Sequence, residues 1–98
     1  MVAKALFVRL EAQRGKEDEL EELLRGGLEA VRGEPGTVHW FAAKIGESSF
    51  AIFDTFNDDA GKMAHLQGQV VAALASKGAE LLAAAPKIEH ADVLATKG

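Results

Sequence analysis

Leu20, Leu23, Leu24, Leu28 and Val31 recur every three or four residues through the segment KEDELEELLRGGLEAVRG. A stripe spaced in this way is the apolar face of a helix, and it must be laid on something. The flanking segments have a different period. Residues 2–12 alternate, with Leu6, Val8 and Leu10 on one side and Ala5, Phe7 and Arg9 on the other, which predicts a strand with apolar groups on both faces. Glu17, Asp18 and Glu19 lie where the helix dipole favours anions, and Arg32 lies where it favours cations. Gly15 is expected to introduce the helix and Gly33 to end it in a left-handed turn, while Gly26 and Gly27 weaken it by about 1 kcal/mol each relative to Ala.

Beyond the turn Glu34-Pro35-Gly36, residues 37–45 and 49–57 read as two strands joined by Gly46-Glu47-Ser48, a link with hairpin chemistry, so they should pair antiparallel. Asn57, Asp58 and Asp59 offer caps for a second helix carrying Met63, Leu66, Val70, Val71 and Leu74 and closing near Gly78, with Gly68 placed to divide it. A shorter helical piece over 79–85 is stopped by Pro86, and KIEHADVLA alternates again as a fourth strand. Two β-α-β halves with an antiparallel pair between them give an α+β, ferredoxin-like βαββαβ plan with a four-stranded antiparallel sheet, its helices on one face.

No repeat, low-complexity tract or linker divides residues 1–98, so one domain is expected. At this length folding buries only about 60 to 65% of the chain's surface. The apolar fraction, 48%, leans on eighteen Ala, with only five Phe and Trp40 as large aromatics. Packing of the uncovered sheet face on a second copy is therefore expected. The net charge of −4 with Lys and Arg scattered singly argues against nucleic acid as a partner. The absence of Cys excludes thiol chemistry and fits a cytoplasmic setting, and Lys4 and Arg9 interrupt the N-terminal apolar stretch, so no membrane partner is expected.

The EPGT segment at Glu34–Thr37, following a helix introduced by Gly15-Lys16-Glu17-Asp18-Glu19-Leu20, resembles the "pGkedel … EPGt" pattern of the antibiotic biosynthesis monooxygenase family. A second match follows, in which an aromatic residue ends the third strand, acidic and small residues come next, and a helical His stands nine positions on; here these are Phe56, Asn57, Asp58, Asp59 and His65. The resemblance covers nearly the whole chain and implies a dimeric α+β barrel and a cofactor-independent monooxygenase acting on a small aromatic, quinol-like or polyketide-like substrate. His65 would take the phenolic proton. The chain departs from the pattern at Phe56, where many members carry Trp, at Ile52 and Lys62, where the polyketide oxygenases carry Asn and Tyr, and at Val70, where a second His often stands. These departures keep a second function open, a non-catalytic small-molecule binder or structural dimer. Haem degradation would need the Trp and Asn of that branch beside its His.

The residues themselves carry a consistent expectation. A helical His one turn past the cap faces the gap between helix and sheet, where a neutral imidazole exchanges protons near pH 7. Its alternative is a structural hydrogen bond at the break near Gly68. Trp40, Phe53 and Phe56 would bound an apolar cavity, with Asn57 and His39 as further substrate contacts. Trp40 and His39 fall on opposite strand faces, so both line one pocket only if a bulge intervenes, and Asn57 competes for a capping role. His39, His65 and His90 lack metal-ligand spacing, so neither a metal nor a cofactor is expected. Asp54 and Asp92 read as isolated strand residues.

Overall fold

The structure is a computed structural model describing residues 1–98, with the order β1 (Lys4–Glu11), α1 (Glu17–Arg32), β2 (Thr37–Lys44), β3 (Ser49–Phe56), α2 (Asp59–Leu66), α3 (Gln69–Leu81) and β4 (Lys87–Asp92). The strands form one antiparallel sheet in the order β2-β3-β1-β4, the ferredoxin-like arrangement expected from the alternation of periods. Leu6 pairs with Asp54 and His90, and Val8 with Ile52 and Ile88, so these residues share the face that the helices cover. Leu10, Leu20, Leu24, Phe50 and Ile52 form the centre of the core there, each 3% exposed or less. Each such side chain contributes about 1.5 to 3 kcal/mol by leaving water.

The opposite face has no helix. Phe7, Phe53 and Phe41 stand in register across β1, β3 and β2, with Phe7 and Phe53 edge to face at 6.4 Å between ring centres. Phe41 and Phe53 remain 58% and 39% exposed.

α1 packs its leucine stripe as the period predicts, but its two ends differ from expectation. The left-handed glycine is Gly15, at φ +89°, and Glu17 accepts from its N–H. Gly33 has φ −82° and ends the helix by tightening, its N–H bonding to Ala30 O, before Pro35 bars continuation. Gly27 is buried rather than exposed, because its missing Cβ lets Trp40 and Val70 pack on the helix. Gly26 faces open space.

The second helical region divides at Gly68, which is the N-cap of α3, and Asp58 rather than Asn57 caps α2 by accepting from Gly61 N–H. α3 does not close at Gly78 but runs to Leu81, and there is no separate helix over 79–85. Gly78 carries the turn because its carbonyl accepts from Leu82 N–H, and Leu81 and Leu82 are drawn into the core. Leu82 then becomes extended and bridges Ala12, while Gln13 donates its side-chain amide to Ala79 O and Leu82 O. This clasp satisfies carbonyls that a helix end leaves bare. No helix is long and apolar enough to cross a membrane.

One backbone contact fixes the α1–β2 turn against α2. A Cβ on Gly36 would stand 2.8 Å from Gly61 Cα, and one on Gly61 would stand 2.8 Å from Gly36 O. Gly36→Ala should therefore lower stability by about 1 to 3 kcal/mol through overpacking, whereas Gly26→Ala, in an open helical position, should raise it by about 0.5 to 1 kcal/mol. Chemical denaturation of the two variants reads both signs.

Candidate functional site

α3 packs along α1 and stands off the sheet, leaving a cavity of about 520 Å³ between it, the end of α2, and strands β1, β3 and β4. Its wall is aliphatic, built from residues such as Leu6, Val8, Ile52, Val70, Val71 and Leu74. Ile88, at 43% exposure, marks the side toward solvent. Asp54 and His65 are the only polar side chains in the lining.

These two belong to a buried charge cluster. The α2 helix turns His65 inward until it is 4% exposed, and the β3 alternation that buries Phe50, Ile52 and Phe56 turns Asp54 to the same side, at 1%. His65 Nε2 lies 2.8 Å from Asp54 Oδ2. That contact is close but poorly aligned, so neither carboxylate oxygen of Asp54 receives a well-directed hydrogen bond. On the other side of the ring, Nδ1–H donates to Glu34 Oε1 at 2.6 Å, and Thr37 Oγ1 donates to the same oxygen at 2.8 Å. Phe56 lies beneath, its ring centre 5.5 Å from that of the imidazole.

Two carboxylates facing the two ring nitrogens call for two N–H groups, which only the imidazolium provides. Burial by itself pushes the His65 pKa down, but the contacts with Asp54 and Glu34 outweigh it and hold the pKa above the ordinary 6.5. With His65 charged, the cluster carries one positive and two negative charges. Both nitrogens are taken, and no group of three His, Asp or Glu side chains is disposed to hold a metal ion.

The expected site residues fall in separate places. His65 faces the gap between helix and sheet, held by carboxylates rather than by a backbone carbonyl near Gly68. Trp40, Phe53 and Phe56 do not bound the cavity. Trp40 sits over α1 against Gly27 and lines a second, more open hollow with Arg25, Leu28 and Lys44; its Nε1 is buried without a partner. Phe53 is on the uncovered face, and Phe56, 0% exposed, is sealed under His65. Asn57 is exposed beyond β3. His39 is also on the uncovered face, bonded to Thr55 Oγ1 at 2.8 Å; the irregularity at Val38 lies before it and does not bring it round to Trp40.

Asp54 and Glu34 are the members that sequence reasoning missed. A lone acid at an inward position of FAIFDTF is a detectable signal, since an unpaired buried carboxylate is too costly to keep. Glu34 was visible only as part of a turn motif.

Among solved structures, the chain is similar to NE2512 of Nitrosomonas europaea, a protein of unknown function, with 48% identity, a TM-score of 0.97, and coverage of 99% of this chain and 94% of that one. The chain belongs to the family of NE2512. A Caulobacter crescentus protein provisionally named an antibiotic biosynthesis monooxygenase superposes with a TM-score of 0.81 at 20% identity, covering 96% of this chain and 92% of its own. A Nitrosomonas europaea protein with the same provisional name gives 0.82 at 16%, covering 98% and 94%. At such identities the likeness is one of fold alone, shared with proteins that carry that provisional name. No protein-family model and no curated protein sequence matches the chain.

The raised pKa of His65 gives the cluster a definite pH dependence. The folded chain holds the proton more tightly than the unfolded one, so its stabilisation is fully present below about pH 6.5 and lost as pH rises through the native value. Urea midpoints measured from mildly acidic to mildly alkaline pH should fall over that interval, and His65→Gln should remove that part of the slope.

Proposed function

We propose that this protein is a cofactor-independent monooxygenase for a small, electron-rich ring bearing a hydroxyl group, of the phenol or quinol class, bound in the cavity between α3 and the sheet. The observation that carries this reading is an aliphatic cavity whose only polar side chains are the Asp54–His65 pair. An apolar ligand filling it would displace water and leave one place for a proton to go.

In this scheme Asp54 takes the hydroxyl proton. His65, with both nitrogens engaged, serves as a positioning residue that balances the carboxylates' charge. The resulting anion passes an electron to dioxygen, the two radicals join at a ring carbon, and the hydroperoxide loses water to leave a carbonyl. One oxygen atom ends in the product and the other in water, with all four electrons drawn from the substrate. Oxygen uptake with a panel of phenols and quinols should fall about 100- to 10,000-fold in Asp54→Asn. His65→Gln should shift the pH profile as well as the rate. Equal rates in all three proteins would remove the pair from the chemistry.

A second reading, a non-catalytic small-molecule binder, is favoured by the contacts of both His65 nitrogens with carboxylates and by aliphatic Ile52 and Val70, where the resemblance implies an Asn in the polyketide oxygenases and often a second His. Ligands that raise the melting temperature without consuming oxygen would establish it.

The same proposal extends to assembly, with one domain over 1–98 pairing through its uncovered sheet face to give a dimeric barrel. The in-register row Phe7, Phe53 and Phe41 supports it, because an exposed aromatic row on a sheet is what sheet-to-sheet packing buries. Light scattering at micromolar concentration should give a dimer mass for the wild type and a monomer mass for Phe41→Glu/Phe53→Glu.

A further inference from the structure

We infer that the cavity selects ligands by the charge of their polar end: it takes an apolar molecule ending in a hydrogen-bond donor, a hydroxyl or an ammonium, and rejects one ending in a carboxylate. The inference rests on the cavity being the ligand site. It does not rest on oxygen chemistry.

Three observations converge on it. Asp54 lines the cavity at 1% exposure, and neither of its carboxylate oxygens has a well-directed protein donor. A buried acceptor left in this state is costly, and a ligand donor reaching the carboxylate from the cavity would relieve it. No Lys or Arg lines the cavity, and the only cation in its wall, His65, is already shared between two carboxylates. An incoming anion would therefore find no counter-charge and would face a cluster with an excess negative charge in a medium of low dielectric. Finally, the aliphatic remainder of the wall offers no second polar anchor, so the ligand's one polar group must be the one that meets Asp54.

The inference also separates the two partners of the pair. If His65 were the ligand's partner, its positive charge would favour an anion. The geometry points to Asp54 because His65 Nδ1 is bonded to Glu34 and Nε2 lies against Asp54 Oδ2, at 2.8 Å.

The test uses three probes on one hydrocarbon frame, 4-tert-butylbenzyl alcohol, 4-tert-butylbenzylamine and 4-tert-butylbenzoate, titrated into the wild type at neutral pH by calorimetry. The alcohol and the ammonium should bind, and the benzoate should bind at least about tenfold more weakly. In Asp54→Asn the ammonium should lose about tenfold, the benzoate should gain, and the alcohol should change least, since the amide oxygen still accepts. Val71→Phe, which intrudes into the cavity, should weaken binding of all three. The wild-type ranking decides the matter even if Asp54→Asn does not fold. Benzoate binding as tightly as the alcohol would overturn the inference while leaving the cavity as a ligand site. Benzoate remaining weak in folded Asp54→Asn would overturn the role of Asp54. No binding by any probe would overturn both this inference and the ligand site. The expected ranking without oxygen uptake would overturn only the oxygenase reading.

Discussion

A carboxylate withdrawn from water has to be matched by positive charge, and for Asp54 the only cation in contact is the imidazolium of His65. The rest of the architecture is arranged around holding that cation in place. β3 supplies Asp54, the last turn of α2 supplies His65, and the turn after α1 supplies Glu34, so one charge cluster joins three elements far apart in sequence. Thr37 donates to Glu34 from the first residue of β2, which fixes the carboxylate's orientation. Gly68 leaves room beside it, because a Cβ there would stand 2.6 Å from Glu34 Oε2 and 3.0 Å from His65 O and would displace the carboxylate. The division of the second helical region at Gly68 and the buried cluster are thus one arrangement, since the backbone that lets Glu34 in is also the backbone that starts α3.

The fold was legible in the sequence because each of its elements buries one face, and burial leaves a period. The α1 leucines and the β1 alternation define helix and strand without reference to the rest of the chain. Where two influences compete at one position, the sequence is a weaker guide. Gly78 has the residue type of a helix end, but burial of Leu81 and Leu82 carries α3 past it. Gly33 has the residue type of a left-handed cap, but Pro35 two residues on already ends the helix, and no positive φ is needed.

The candidate site was legible only in part, for a different reason. His65 stands out by type and by its place on the second helix. Its partners are selected by tertiary proximity, and nothing local in EPGT announces that Glu34 reaches across to α2. The aromatic residues drew attention as a wall for an aromatic ligand, yet their positions in the strands send Phe53 outward, Phe56 beneath His65 and Trp40 toward α1. The cavity is walled by the less conspicuous aliphatics of α3 and the sheet.

The ends of α3 differ from its middle. Its first turn grows from Gly68, tied to His65 O and packed under Glu34, and its last carbonyls are gripped by Gln13 from the end of β1. Between these supports it rests on α1 and spans empty space above the sheet. It is carried like a roof beam, by its two ends and by α1 along one side, and the lower side of its middle turns, with Val71 and Leu74, forms the ceiling of the cavity.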